Sequence, residues 1–233
     1  MNEFSALHHT FLIGNFYKLL VDRFGARGRQ AFIMGTQRYG EQRGNRMAQR
    51  AIRDGRALDF AAYKEYVEWE NTETAKQLMG GNQCQEVSFT PNYETHWFTC
   101  PWCYQFKAMG LQECGILYCA HIDQAIARGF NPELKLEVPK NMNQYGKTYC
   151  QQIWYGANFE EGKLPQGKPE NKESFAYHCA HLYDTYSSIA EAIFAEEGKT
   201  VAQEVLQRFA AEYGQEMAAV LKEYAGTDFN VIL

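Results

Sequence analysis

Glu86-Val87-Ser88-Phe89-Thr90 and, after Pro91-Asn92, Tyr93-Glu94-Thr95-His96-Trp97-Phe98-Thr99 are the stretches that decide the fold class. Their residues alternate with a period of two, as strands do. What precedes residue 84 has a different texture. Phe11, Phe16, Leu19, Leu20 and Phe24 recur at helical spacing. Gly25 and Gly28 punctuate that run, and the pattern predicts a second helix over about Arg29 to Arg53. A third is predicted from Asp59, a candidate N-cap, to Met79, with Gly80-Gly81 as its stop.

Working outward the other way, Pro101 opens a short helix that ends near Gly110. A longer helix is expected from Gln112 to about Arg128, with Gly129 after it. Leu134 to Val138 and Lys147 to Tyr155 read as a strand pair joined by the loop at 140–146. Residues 160–173 are a polar connector, a surface loop or lid. Two closing helices are expected at Ser174 to Glu197 and Thr200 to Ala225, separated by Gly198. No internal repeat is present. The expectation is an α+β protein, with helical N- and C-terminal segments around a small, mainly antiparallel sheet. One domain over 1–233 is expected, helical at 1–80, sheet-containing at 84–159 and helical again at 174–225.

A chain of 233 residues can bury a full core without staples. The net charge of −5 argues against nucleic acid as a partner. Apolar runs such as Phe11-Leu12-Ile13 fall far short of the roughly 20 residues a spanning helix needs, so no membrane partner is expected. Glu3 and the lack of a basic n-region argue against a signal peptide, and a cytoplasmic location is expected. Seven cysteines in that setting read as reduced thiols rather than a disulfide framework. Aromatic residues, 15% of the chain, favour a lined pocket for a small molecule or a subunit interface, which leaves a homo-oligomer open.

Several residues carry candidate chemistry. Cys100-Pro101-Trp102-Cys103 is a CxxC at a strand-to-helix junction. A thiol there feels the helix dipole and free backbone N–H groups, which favours its thiolate. Redox chemistry is a weaker reading, because the surrounding pattern is not thioredoxin-like. Cys100, Cys103, Cys114 and Cys119 have the number of thiols that tetrahedral zinc needs. However, Cys114 and Cys119 on one helix would point about 140° apart. Cys119 and Asp123, four apart, share a helical face as a thiol beside an acid or base. Cys150 shares a strand face with Gln152 and Trp154 and suits a pocket wall. Cys84, Cys114 and Cys179 read as packing.

Six arginines, Arg38, Arg43, Arg46, Arg50, Arg53 and Arg56, lie on or near the second helix. Arg43, Arg46 and Arg50 share one face. They can pair with Glu65, Glu68, Glu70 and Glu73, or one or two can turn inward and hold a carboxylate through the planar guanidinium fork. Gly40 and Gly44 would let another backbone approach. His178 and His181, followed by Asp184, are a metal pair, a general base, or core histidines.

These blocks have a familiar order. Gly40-Glu41-Gln42-Arg43-Gly44-Asn45-Arg46-Met47-Ala48, then Phe98-Thr99-Cys100-Pro101-Trp102, then Tyr118-Cys119-Ala120-His121-Ile122-Asp123 with Gly129-Phe130-Asn131-Pro132 come first. Gly146-Lys147-Thr148-Tyr149-Cys150 and Tyr177-His178-Cys179-Ala180-His181-Leu182-Tyr183 complete them. Together they resemble the L-2-amino-thiazoline-4-carboxylic acid hydrolase family over residues 40–185. Lys147 stands where that family pattern has an acid, and Thr99 where a basic residue is usual. The resemblance implies hydrolysis of a small cyclic amidine to an N-carbamoyl-cysteine-type product. It implies Cys100 as first candidate nucleophile and Cys119 as second, with Asp123 or His181 managing protons. Arg43 or Arg46 would hold the substrate carboxylate, and Trp102, Cys150 and His178 would complete the binding wall. No cofactor and no metal is expected. The alternative is a non-enzymatic domain that binds a small molecule or zinc through cysteines.

Overall fold

Ser5 starts the first helix, α1 (Ala6–Phe24), by accepting from the Leu7 amide while the His8 ring accepts from its own. A computed structural model of the chain describes residues 3–81 and 83–232. At Gly25, with φ of 55°, the chain turns directly into α2 (Ala26–Arg53). Gly28 does not interrupt that helix. It lies in the first turn, where a Cβ would meet the Leu20 carbonyl oxygen at 1.8 Å. Gly25 therefore makes the corner and Gly28 lets it close.

The expected helix from Asp59 to Met79 is two short ones, α3 (Phe60–Glu65) and α4 (Glu73–Leu78). Asp59 does cap α3, accepting from the Ala62 amide at 2.8 Å. Between them the chain is extended because other groups claim its backbone. The Glu65 carbonyl accepts from the Lys168 amide, and the Glu68 carbonyl from the Glu173 amide. The polar connector at 160–173, with a 3-10 turn at Pro169–Asn171, is thus pinned along this segment rather than free over the surface.

Strands β1 (Cys84–Ser88) and β2 (Tyr93–Trp97) form the expected hairpin. Then come α5 (Pro101–Ala108), α6 (Gln112–Cys119) and α7 (Ile122–Phe130). The single helix expected over 112–128 is broken at Ala120 and His121, where α6 ends and α7 starts in a new direction. Strands β3 (Leu136–Lys140) and β4 (Cys150–Trp154) complete a four-stranded antiparallel sheet of order β1-β2-β4-β3. The β2–β4 register sets Cys150 opposite Trp97.

The C-terminal part is α8 (Phe175–Phe194), α9 (Glu196–Tyr213) and α10 (Gln215–Glu223). The break expected at Gly198 falls instead at Ala195, with φ of 51°, and a further one at Gly214. Gly198 repeats the role of Gly28, since its Cβ would meet the Ala190 carbonyl oxygen at 2.0 Å. The α+β arrangement is as expected, with helices before and after the sheet. No helix among the described residues is long and apolar enough to cross a membrane.

Helices α2 and α7 pack closely along their length, and glycines make it possible. A Cβ on Gly44 would lie 2.1 Å from the Ile126 carbonyl oxygen, and one on Gly129 2.3 Å from that of Glu41. This backbone-to-backbone approach lays the first turn of α7, which carries Asp123, beside Arg43 of α2.

Candidate active site

A cavity of about 270 Å³ lies between α2, the starts of α5 and α7, the end of α6 and the inner face of the sheet. Arg43 enters from α2. Cys100, the N-cap of α5, and Trp102 in its first turn come from the sheet-to-helix junction. Cys119 ends α6, Asp123 opens α7, and Cys150 and Gln152 point in from alternate positions of β4. Trp69, Tyr63 and Trp154 supply much of the apolar wall. Six of the nine site residues expected from the sequence, Arg43, Cys100, Trp102, Cys119, Asp123 and Cys150, thus share one space.

The arginine face divides by role. Arg46, fully buried, forks onto Glu68 at 3.0 and 2.7 Å and donates to the Phe229 carbonyl at 2.6 Å. Arg50 donates to Glu68 at 2.6 Å and to Glu173 at 2.6 Å. These two are the helix-to-acid pairs, and Arg46 does not line the cavity. Glu68 is completely buried, so its extended segment is held down by a carboxylate with two committed guanidinium partners. Arg43 differs. It is 4% exposed, its Nε stops 3.9 Å from Glu68, and its Nε and Nη2 are buried without a hydrogen-bond partner among the described residues. A buried guanidinium with unused donors facing a cavity is short of an anion.

Opposite Arg43 the thiols gather. The Cys103 thiol has those of Cys100, Cys119 and Cys150 as neighbours. The Asn143 side-chain amide donates to Cys103 at 3.2 Å and to Cys119 at 3.4 Å, and the Met142 backbone amide donates to Cys150 at 3.3 Å. The hydrogen bond from Cys103, with help from Met142, holds the Cys150 thiol below the ordinary cysteine range despite burial. Cys119 also gains from Cys103, but burial and the nearby thiols and Asp123 carry it above that range. Asp123 itself is pushed up by burial, against the pull of the Gln152 amide at 3.3 Å and of Arg43. It is therefore a carboxyl group biased toward its protonated form, suited to give up a proton in the cavity.

Three expected site residues lie elsewhere. His181 is fully buried behind the arginines, bonded to Gln42 at 3.0 Å and stacked on Phe229. His178 contacts the Glu68 carbonyl at 3.2 Å. Both face away from the cavity because the inner surface of α8 packs against α2, and with Arg46 they belong to the core. The zinc set does not form either. Cys114 is buried on the core side of α6 while Cys119 faces the cavity, as the helical rotation requires. Among the described residues no group of three or more His, Cys, Asp or Glu is arranged to hold a metal ion. Of the two departures from the family pattern, Lys147 is exposed and off the cavity, whereas Thr99 lines it and is tied to the Gly81 carbonyl.

Sequence reading missed the Asn141-to-Asn143 turn and Cys103. The turn had one legible signal, two asparagines two apart, and Asn141 Oδ1 does accept from the Asn143 amide. Cys103 carried none beyond its CxxC spacing. A family model described as L-2-amino-thiazoline-4-carboxylic acid hydrolase matches residues 5–154, a span that contains every cavity residue named above and ends before the histidine helix. No curated protein and no solved structure matches.

Proposed function

The chain belongs to the L-2-amino-thiazoline-4-carboxylic acid hydrolase family, and from that premise we propose that its cavity opens a small cyclic amidine bearing a carboxylate. The substrate is 2-amino-thiazoline-4-carboxylate or a close relative, and the product an N-carbamoyl-cysteine. One observation carries the reading: an under-partnered guanidinium, a raised carboxyl group and a lowered thiol face the same cavity.

Arg43 holds the substrate carboxylate, its planar fork matching two oxygens. Cys150, rather than the expected Cys100 or Cys119, is the nucleophile, because the Met142 amide donates to its sulfur where it borders the cavity and its thiol is lowered despite burial. Its sulfur attacks the sp² carbon of the protonated amidine. The ring carbon–sulfur bond then breaks, and the departing sulfur takes the Asp123 proton. Water next attacks the same carbon, returning a proton to Asp123. Cys150 leaves as thiolate, and the resulting urea sheds its remaining proton to solvent. The sum is the addition of one water. Working thiols of this kind need a reducing compartment such as the cytosol.

The test is mass-spectrometric detection of the hydrated product, followed by Arg43→Met. Losing a buried fork to a carboxylate costs at least about 2 kcal/mol, so KM should rise on the order of 30-fold. The melting temperature should hold, because the Nε and Nη2 donors removed have no hydrogen-bond partner among the described residues. An unchanged KM, or a stability collapse, refutes the clamp. Failure of the purified protein to consume the thiazoline refutes the substrate.

A further inference from the structure

Arg43 stops 3.9 Å short of Glu68, a carboxylate that already binds Arg46 and Arg50, and two aromatic rings flank it there. Its guanidinium carbon lies 5.6 Å from the centre of the Tyr39 ring and 5.9 Å from that of Trp69. Ring faces attract a cation without using up its N–H donors, which leaves the fork open to an anion. Tyr39 sits one turn before Arg43 on α2, and Trp69 lies in the segment between α3 and α4. Both rings trace back to His9 of α1, which is 1% exposed and outside the cavity lining. Trp102 Nε1 donates to His9 Nδ1 at 3.1 Å, and Trp102 packs edge-on against Trp69 with ring centres 5.1 Å apart. On its other side, His9 Nε2 lies 2.9 Å from the Tyr39 hydroxyl. An indole N–H can only donate, so Nδ1 is the bare nitrogen and the ring hydrogen sits on Nε2, facing the Tyr39 oxygen. One neutral tautomer satisfies both bonds, and burial favours the neutral ring.

Resting on the reading of Arg43 as the carboxylate clamp, we infer that His9 is a positioning residue: it locks Trp102 and Tyr39, and through them the Trp69 and Tyr39 rings that hold Arg43 off Glu68 and toward the cavity. The two hydrogen bonds tie α1 to α5 and to α2, the helix that carries the cavity's guanidinium. Without them the Trp102 indole is free to turn and Trp69 loses its edge contact. Arg43 can then close the 3.9 Å gap to Glu68, and a fork spent on an internal carboxylate no longer binds an incoming one.

The experiment is proton–nitrogen correlation NMR of the full-length protein without ligand, followed by kinetics with 2-amino-thiazoline-4-carboxylate. The peak lost in Arg43→Met assigns the Arg43 Nε–H, and the one lost in Trp102→Phe assigns the Trp102 indole N–H. His9→Leu should shift both peaks and speed hydrogen exchange at the indole. His9→Gln, whose amide can accept from Trp102 and donate to Tyr39, should return both toward wild type. In turnover, His9→Leu should raise KM roughly tenfold with kcat little changed, the worth of a desolvated cation–π hold. Tyr39→Phe, which removes only the hydroxyl, replaces the leucine variant if that one does not fold, and should move the Arg43 peak in the same direction. An unmoved Arg43 peak overturns the inference, as does a glutamine variant no better than leucine, or a loss confined to kcat. If Arg43→Met itself leaves KM unchanged, the clamp reading fails, and the ligand-free peaks alone decide whether His9 sets the direction of Arg43.

Discussion

Glu68→Gln should be among the most damaging single substitutions available in this protein, although Glu68 touches no substrate. The carboxylate is completely buried and accepts three short bonds, from Arg46 at 3.0 and 2.7 Å and from Arg50 at 2.6 Å. Arg43 lies 3.9 Å away. Gln keeps the volume but offers one acceptor oxygen and turns an NH₂ toward guanidinium donors. Arg46 would then have no carboxylate partner among the described residues, and Arg50 only Glu173, which is partly exposed. Breaking a buried pair from one side costs about 3–5 kcal/mol, mostly through the charge left behind. For a chain of this size that is a fall in melting temperature of roughly 6–20 °C. Glu65→Gln is the internal control. Glu65 pairs with Arg56 nearer the surface, and its loss should cost under about 1 kcal/mol. Thermal unfolding followed by circular dichroism, with guanidinium midpoints alongside, measures both. Equal losses in the two variants, or a Glu68→Gln loss below about 1 kcal/mol, would refute the idea that the segment between α3 and α4 is held by its buried ion cluster.

Two further outcomes are expected. Ala195 sits at φ 51° and ψ −128°, where a Cβ is strained. Ala195→Gly should therefore raise stability by about 1 kcal/mol after the flexibility of glycine is counted, and a lower melting temperature would show the corner is not strained. Burial first, and nearby arginines second, hold His9, His178 and His181 well below the usual histidine range. Their folded pKa values are depressed, so unfolding takes up protons. Stability is full above the unfolded value of about 6.5 and is lost as pH falls below it, by up to about 4 kcal/mol per pH unit for three groups. A melting temperature that stays flat from pH 8 to about pH 5 would contradict neutral burial of these rings.

How much of this was legible beforehand follows a physical line. Periods of 2 and 3.6 are local properties of a chain, so the hairpin at 84–97 and the long helices before and after the sheet could be read directly. Asp59 as a cap and Gly40 and Gly44 as points of close approach were readable for the same reason, since each acts through its own backbone or its missing Cβ. The residue types of the site were readable too, because a thiol, a carboxylate and an arginine announce their chemistry. What the sequence could not determine was which of several equivalent residues is satisfied elsewhere. Arg43 and Arg46 are three apart on one helical face, and only the fold decides that Arg46 meets Glu68 squarely while Arg43 misses it and faces the cavity. His181 looked catalytic until α8 packed inward on α2. Glu68 lay inside a predicted helix until two buried guanidinium groups and the backbone of the 160–173 connector drew it out. Likewise, Cys150 is set apart by the Met142 amide that donates to its sulfur and by its place on the cavity wall. Desolvation and hydrogen-bond pairing depend on what arrives from far along the chain, and no local pattern encodes that arrival.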